Sequence, residues 1–269
     1  MSERANLPLV VCSMDNTLLA NHGRILGCDD QTIRLYCAMG GRFSVLTRRT
    51  PQGMQNAFPE YRRLSASICC GGSVILSPSE EAVQYAARLE EAPARAAVRD
   101  ALREFPEISV QILHPSGRLY VPRCNRYLHS HLREEAISCI MTELEDVPTP
   151  WVQVSFYGNA MAIGRLDKYL NERGYLGCSL HSPNAVCLEL SQEGVAPEDA
   201  FLQLCAIEKV QPQDVIFIAG GYDDLSVMAQ AGQTVTVADA PVEVRLTADR
   251  VLCAARDGGV GEYLYELLK

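Results

Sequence analysis

The chain has 269 residues, of which 48% are hydrophobic and 21% are charged. This length and balance indicate a globular protein of one large domain or two smaller ones, with a core that needs no disulfide or metal to hold it. A net charge of −9 excludes a general nucleic-acid binder, because such proteins gain affinity from clustered Lys and Arg side chains. A small phosphorylated metabolite remains possible as a partner, since it needs only one local positive pocket.

The 11 cysteines are scattered, and their odd number and the absence of a C-x-x-C pair argue against a disulfide framework or a zinc site. Most of them lie in apolar runs, where Cys behaves as a small buried hydrophobic residue. We therefore expect reduced thiols and a cytoplasmic protein. Residues 1–6 are polar, and the apolar run 7–12 is too short for a signal peptide or a membrane span, so we expect no membrane partner.

The first part of the chain alternates between strands and helices. The continuous apolar run 7–12 predicts a strand buried on both faces, as in a parallel sheet. A helix is predicted over residues 30–39, with Asp29 as its N-cap and Gly40 and Gly41 as its end. A strand at 43–46, a short helix that begins at Pro51 and a strand at 67–70 follow. This alternation predicts a Rossmann-like, doubly wound α/β sheet.

The pattern changes from residue 80. Residues 80–105 are rich in Ala, Glu and Arg and predict a helix, with Ser79 as N-cap and Pro93 splitting the segment in two. The next predicted elements are strands at 108–113 and 118–121, a helix at 130–144, a strand at 151–157, a helix at 162–173, and strands at 178–181 and 185–190. Consecutive strands favour an antiparallel sheet with helices on one side. We therefore predict an inserted α+β domain over residues 82–186.

The parallel pattern returns after the insertion. We predict a helix at 197–205, a strand at 215–218, a helix at 225–231, a strand at 234–237 and a closing helix at 259–268. Residues 1–81 and 187–269 would therefore form one core domain.

Polar motifs follow the predicted core strands, where open α/β sheets bind their ligands. The first is Ser13-Met14-Asp15-Asn16-Thr17-Leu18-Leu19. With the later motifs it resembles the haloacid dehalogenase superfamily, subfamily IIB, the Cof-type phosphatases, whose motif is D-x-D-G-T-L-L. The resemblance implies that Ser13 stands in place of the aspartate nucleophile and Mg²⁺ ligand, and that Asp15 matches the general acid/base. A serine hydroxyl needs an adjacent base, and the only His near this turn is His22.

The second and third motifs are also changed. Thr47-Arg48-Arg49 matches T-G-R, and the resemblance implies that Thr47 donates to phosphate while Arg48 and Arg49 supply positive charge. The motif Lys, which would neutralise phosphate and nucleophile together, falls on Pro197.

The fourth motif, G-D-x-x-N-D, is replaced by Ala219-Gly220-Gly221-Tyr222-Asp223-Asp224. By resemblance, Gly220 replaces a metal-binding aspartate, Asp223 replaces an asparagine, and Asp224 matches. Mg²⁺ favours an octahedral oxygen shell with one or two protein carboxylates. We therefore expect Mg²⁺, the cofactor that the family implies, to bind weakly through Asp223 and Asp224 or not at all.

Each of these residues also has a purely structural interpretation. The Ser13 hydroxyl could bond nearby backbone, Asp15 could accept N–H groups of its own turn, Asp223 and Asp224 could cap the next helix, and Arg48 could be a solvated charge.

In the inserted domain, candidate cap residues are Arg165, Asp167 and Lys168 on one predicted helix and Trp151 and Tyr157 on a strand. A solvated helix face and core aromatics explain these equally well, and His129 and His131 are too poorly spaced for a metal pair.

Three functions are compatible with these motifs. The first is a pseudoenzyme that lacks aspartyl-phosphate phosphatase activity and binds a phosphorylated or anionic small metabolite between core and cap. The second is an active Mg²⁺-dependent sugar or cofactor phosphatase with rearranged residues. The third is a non-catalytic protein-interaction module with an unknown partner. Losses at the nucleophile, cation and metal positions favour the first, because phosphoryl transfer depends on all three.

Overall fold

The structure is a computed structural model that describes residues 7–20, 23–58 and 60–269. The chain divides into two compact units, Met1–Gln84 with Ala196–Lys269 and Tyr85–Val195, which we call the core unit and the cap unit. The domain boundary predicted at 186/187 is wrong in detail. It would separate the strand Cys187–Gln192 from the two strands of the cap sheet with which that strand pairs.

Strands and helices are numbered along the chain. The strands are β1 (Leu9–Ser13), β2 (Leu19–Ala20), β3 (Arg24–Ile25), β4 (Arg42–Leu46), β5 (Ser67–Cys69), β6 (Val74–Ser77), β7 (Ala82–Ala86), β8 (Ser109–Leu113), β9 (Leu119–Arg123), β10 (Ile140–Met141), β11 (Gln153–Tyr157), β12 (Cys178–Asn184), β13 (Cys187–Gln192), β14 (Val215–Ala219), β15 (Gln233–Val237) and β16 (Arg250–Leu252). The helices are α1 (Gly27–Ala38), α2 (Pro51–Ala57), α3 (Glu91–Glu104), α4 (Arg126–Glu134), α5 (Ala160–Arg173), α6 (Pro197–Glu208), α7 (Leu225–Met228), α8 (Val242–Thr247) and α9 (Gly259–Leu267).

The core sheet confirms the predicted Rossmann-like, doubly wound α/β fold. Its strand order is β16-β15-β14-β1-β4-β5-β6-β7. Strand β1 is buried along its whole length and pairs in parallel with β14 on one side and β4 on the other. Successive connections leave β1 in opposite directions, so the strand order reverses there. The loops after β1, β4 and β14 therefore share the sheet edge at which such folds bind ligands.

The cap unit has a six-stranded sheet in the order β10-β9-β8-β11-β13-β12. Side chains of α3 and α5 form one apolar cluster with one face of this sheet. The prediction of helices on one side only is wrong, because Leu128 of α4 clusters with Val121, Tyr157 and Cys187 on the other face. The sheet is also not wholly antiparallel, since β10 pairs in parallel with β9.

Two helix predictions in the cap are wrong. Residues 80–105 form strand β7 and then α3, and Pro93 lies in the first turn of α3, where backbone N–H groups have no intrahelical acceptor. The helix predicted at 130–144 is α4, which begins four residues earlier and ends at Glu134. Its start is set by Asn125, whose Oδ1 accepts hydrogen bonds from the N–H groups of Tyr127 and Leu128.

The core unit also differs from expectation in places. Asp29 is not the N-cap of α1, because the helix begins at Gly27. Asp29 lies in the first turn, fully buried, and accepts a hydrogen bond of 2.7 Å from the N–H of Gly261 in α9. The sequence reading missed α8 and β16. His22 and residues 1–6 lie outside the described residues. In the part of the chain that is described, no helix is both long and apolar enough to cross a membrane.

Candidate ligand-binding site of the core unit

The loops after β1, β4 and β14 carry the polar residues that the sequence singled out. Ser13 is the last residue of β1, and its register partner Leu46 ends β4, so Thr47 follows directly beside it. Gly220 comes directly after β14, which pairs with β1 on the other side. The first, second and fourth motifs therefore meet at one edge of the core sheet.

Asp15 is held by side chains from the β4 loop. Arg49 approaches it with both Nε and Nη2, at 3.0 and 2.8 Å from Oδ1. The Thr47 hydroxyl lies 3.2 Å from Oδ2. This two-point guanidinium–carboxylate pairing is the stronger kind of ion pair and fixes the orientation of both groups. The structure thus places Asp15 in a pair with Arg49, not on the N–H groups of its own turn.

Asp224 is a buried carboxylate surrounded by donors of the same site. Its side chain is 3% exposed and accepts hydrogen bonds of 2.7 and 2.9 Å from the N–H groups of Gly220 and Gly221. The Ser13 hydroxyl lies beside this carboxylate. Burial raises the pKa of Asp224, and the two backbone N–H groups and the Ser13 hydroxyl oppose that shift. Ser13 and Asp224 therefore form a pair, an arrangement that the sequence reading did not foresee.

Gly220 has no room for a side chain. A Cβ built there would overlap Oγ1 of Thr17, and would lie 3.0 Å from Cβ of Thr17 and 3.2 Å from the carbonyl oxygen of Asn16. At the neighbouring Gly221, a Cβ would meet no atom within 4 Å. The space beside β14 is thus filled by the turn after β1. Thr17 was not predicted to be a site residue. The adjacent glycines Gly220 and Gly221 were the sequence signal for a close approach of the chain at this point.

The remaining charged residue of the β4 loop pairs with the fourth motif. Nε of Arg48 lies 2.9 Å from Oδ2 of Asp223, and both side chains are partly exposed. The two arginines of the second motif therefore each contact a carboxylate from another motif. Together the loops bring two guanidinium groups against the carboxylates of Asp15 and Asp223.

Pro197 is the first residue of α6, where its missing N–H costs nothing. The next residue, Glu198, accepts a hydrogen bond of 2.8 Å from the hydroxyl of Ser226. The carbonyl oxygen of Ala196 would lie 3.0 Å from a Cβ at Gly72, so the start of α6 packs closely on this glycine. The position that the resemblance assigns to a lysine thus carries no charge, and a carboxylate follows it.

The carboxylates of the site are engaged by the protein's own donors. Asp15 binds Arg49, Asp223 binds Arg48, and one oxygen of Asp224 accepts two N–H groups. Within residues 7–20, 23–58 and 60–269, no group of three or more His, Cys, Asp and Glu side chains is arranged to hold a metal ion.

The candidate cap residues have structural contacts of their own. Trp151 is buried and donates from Nε1 to the carbonyl oxygen of Pro148 at 2.9 Å, while Arg165 pairs with Glu107 on the surface. Asp167 accepts from Asn171, and Lys168 is exposed near Glu172. His131 stacks on the buried Tyr157, with ring centroids 4.9 Å apart. The packing of α4 on this face of the cap sheet brings His131 against Tyr157.

A Rossmann-like core with an inserted cap, and polar loops gathered at the strand ends, defines the class of fold to which this chain belongs. A family model described as haloacid dehalogenase-like hydrolase matches residues 10–264. The chain therefore belongs to the haloacid dehalogenase-like hydrolases.

Solved structures share this fold at low sequence identity. A haloacid dehalogenase-like hydrolase from Bacteroides thetaiotaomicron has a TM-score of 0.88 at 19% identity, over 97% of this chain and 99% of that one. TM0651 from Thermotoga maritima has a TM-score of 0.83 at 19% identity, over 97% of each chain. The subclass IIB sugar phosphatase BT4131 has a TM-score of 0.77 at 12% identity, over 96% of this chain and 98% of that one. No curated protein matches the sequence significantly.

Proposed function

We propose that this chain is a haloacid dehalogenase-like protein without aspartyl-phosphate phosphatase activity, and that its core unit binds a phosphorylated or other anionic small molecule. The observation that carries the proposal is the pairing of Ser13 with Asp224. An ionised carboxylate can attack phosphorus directly, whereas a hydroxyl must first lose its proton to a base. Among the described residues, the carboxylate beside that hydroxyl is Asp224, whose Oδ2 already accepts hydrogen bonds from the N–H groups of Gly220 and Gly221.

Magnesium does not fit the residues of this site. A bound Mg²⁺ needs carboxylate oxygens directed at one point, usually completed by water. Asp15 and Asp223 instead contact guanidinium groups, and the space at Gly220 is taken by Thr17. We expect that adding Mg²⁺ changes neither the stability nor the ligand affinity of the protein.

The donors for an anion come from the β4 loop. Arg48, Arg49 and the Thr47 hydroxyl together offer charge-assisted hydrogen bonds of the kind that phosphate accepts. A bound anion would replace Asp15 as the partner of Arg49, so this carboxylate competes with the ligand. Removing its charge should therefore strengthen anion binding, and removing the guanidinium should weaken it.

Phosphate titrations of three variants test this idea by calorimetry or thermal shift. We expect inorganic phosphate, or one member of a panel of phosphorylated metabolites, to raise the Tm of the native chain. Arg49→Met should weaken this ligand about tenfold and Asp15→Asn should tighten it by a similar factor, equivalent to about 1.4 kcal/mol each. Arg256→Met, on an exposed arginine elsewhere in the core unit, is the matched control. Equal affinities in all variants would refute the assignment.

Activity assays decide between this proposal and a rearranged phosphatase. In that alternative, Ser13 would attack phosphorus while Asp224 takes the hydroxyl proton, and the ester P–O bond of the substrate would break. The leaving oxygen would take up the proton from Asp224 and depart as the alcohol, and a phosphoserine would remain on the chain. We expect no turnover above background with Mg²⁺ present, and no mass increase on Ser13 after incubation with acetyl phosphate. A phosphate adduct on Ser13 that is absent from Ser13→Ala would favour the alternative.

A further inference from the structure

Two cysteines from opposite ends of the chain meet at the first turn of α9 in the core unit. Cys28 lies in the first turn of α1, and its Sγ lies 2.7 Å from the point where a Cβ on Gly258 would stand. Cys253 lies between β16 and α9, and its Sγ lies 4.0 Å from the carbonyl oxygen of Asp257. The two sulfurs therefore contact adjacent residues of one backbone segment, and we call Cys28 and Cys253 the thiol pair.

The backbones that carry the thiol pair are both packed against the start of α9. A Cβ on Gly261 would lie 3.0 Å from Cα of Asp29, the residue that follows Cys28. The N–H of Gly261 also donates to Oδ1 of Asp29 at 2.7 Å. On the other side of the turn, a Cβ on Gly259 would overlap the carbonyl oxygen of Cys253. These contacts hold both cysteines at the same turn, although they are far apart in sequence.

Both members of the thiol pair can be reached from solvent. The side chain of Cys28 is exposed, and that of Cys253 is partly exposed. Other cysteines of the core unit, including Cys12, Cys69 and Cys70, are buried. Oxidation of a thiol depends on its access to the oxidant, so the thiol pair is where an oxidant meets two neighbouring sulfurs of the core unit.

The surroundings of Cys253 set the order in which the two thiols react. Its Sγ lies 3.4 Å from Oε2 of Glu262. Burial and the carboxylate of Glu262 raise the pKa of the Cys253 thiol. Since the thiolate is the form that attacks a disulfide, we expect the exposed Cys28 to react first and Cys253 to react second.

We propose that Cys28 and Cys253 form a reversible intramolecular disulfide when the protein meets an oxidant of the disulfide class, such as oxidised glutathione. The thiolate of Cys28 attacks one sulfur of the oxidant and releases the first glutathione thiolate. The thiolate of Cys253 then attacks the Cys28 sulfur of this mixed disulfide and releases the second. Two thiols of the chain are oxidised, and one oxidised glutathione is reduced to two glutathione thiols, which take up the two protons that the chain loses.

The disulfide would join the first turn of α1 to the segment before α9. It would close a loop that includes most of the chain, and such a closure stabilises a protein mainly by restricting the unfolded state. In a reducing compartment this bond forms only transiently, as redox-sensing disulfides do. The loops after β1, β4 and β14 take no part, so the inference stands without the function proposed for them.

The test incubates the full chain with oxidised and reduced glutathione, blocks the remaining thiols by alkylation, and maps the peptides without reduction. We expect a linked pair of peptides that contain Cys28 and Cys253, with the loss of two hydrogen atoms. The Tm should rise by about 5 °C or more, and dithiothreitol should reverse this rise. In Cys253→Ser, Cys28 should keep one bound glutathione, because the second thiol is missing. Cys124→Ser, at the exposed cysteine of the cap unit, is the matched control and should form the link as the native chain does.

A second variant tests the order of the two steps. Glu262→Gln removes the negative charge beside Cys253 and should speed the conversion of the mixed disulfide about threefold or more. Glu266→Gln makes the same change one turn further along α9 and should leave this rate unchanged.

Two outcomes would overturn the proposal. In the first, Cys28 of the native chain keeps its glutathione and no linked peptide appears. In the second, the link between Cys28 and Cys253 is no more abundant than links between other cysteines. Circular dichroism confirms that each variant is folded before it is oxidised.

Discussion

The two adjacent glycines after β14 differ in the space around them, and this difference predicts opposite effects of alanine at the two positions. A methyl group at Gly220 would overlap Oγ1 of the fully buried Thr17, whereas one at Gly221 would meet nothing within 4 Å. Overpacking of this kind costs about 1–3 kcal/mol. Replacing a glycine by alanine at an unstrained, open position stabilises by about 0.4–1 kcal/mol through the unfolded state. Gly221 has φ −141° and ψ 172°, which alanine adopts without strain.

We therefore expect Gly220→Ala to destabilise the protein by about 1–3 kcal/mol and Gly221→Ala to leave it unchanged or slightly more stable. Urea unfolding followed by circular dichroism measures both midpoints. In the double variant with Thr17→Ala, the clash with Oγ1 is gone but the Cβ contact of 3.0 Å remains. Part of the Gly220→Ala loss should then be recovered relative to Thr17→Ala alone. Equal stability of the two single variants would refute the steric reasoning.

Three further predictions concern polar groups of the two units. Burial raises the pKa of Asp29 from 3.8 to about 6. Because this pKa is higher in the folded than in the unfolded state, the contribution of Asp29 to stability should be greatest below about pH 4 and fall by up to about 3 kcal/mol as pH rises through 6. Asp29→Asn should flatten this profile in unfolding measurements. Ser13→Asp adds a second carboxylate beside Asp224 and should cost more than about 1 kcal/mol at pH 7 but less at pH 5, read from the same midpoints. Asn125→Ala removes the cap of α4 and should cost about 1 kcal/mol in thermal unfolding.

The core was predictable because its signals are local. Strand β1 is a continuous apolar run, and its complete burial follows from its central place between β14 and β4. Motifs at strand ends are brought together by the parallel fold itself, so their meeting at one sheet edge could be expected from their order alone. The Pro at the start of α6 and the Gly at the start of α9 likewise follow from local backbone chemistry.

The cap was less predictable because its elements depend on partners distant in the chain. The segment Ala82–Ala86, which leads into the cap as the edge strand of the core sheet, is partly exposed and lacks the alternation that marks a strand. Helix α4 begins at Asn125, whose amide also donates to the carbonyl oxygens of Glu107 and Tyr157. Tertiary contacts therefore determine where α4 begins. The prediction, made from composition alone, placed its first residue several positions too far along the chain.

The substitutions in the candidate site could be located from sequence, but the way they depend on one another could not. The Ser13 hydroxyl lies beside the carboxylate of Asp224, and this carboxylate accepts a hydrogen bond from the N–H of Gly220. Thr17 fills the space that a side chain at position 220 would need. An aspartate at position 13 would therefore lie beside the like charge of Asp224. An aspartate at position 220 would overlap Thr17. The effects of mutations within one hydrogen-bonded network are not additive. We therefore expect a single reversion to lower the free energy of unfolding without restoring phosphatase activity. This mutual dependence is the physical basis of the proposal that the site binds an anion without phosphatase activity.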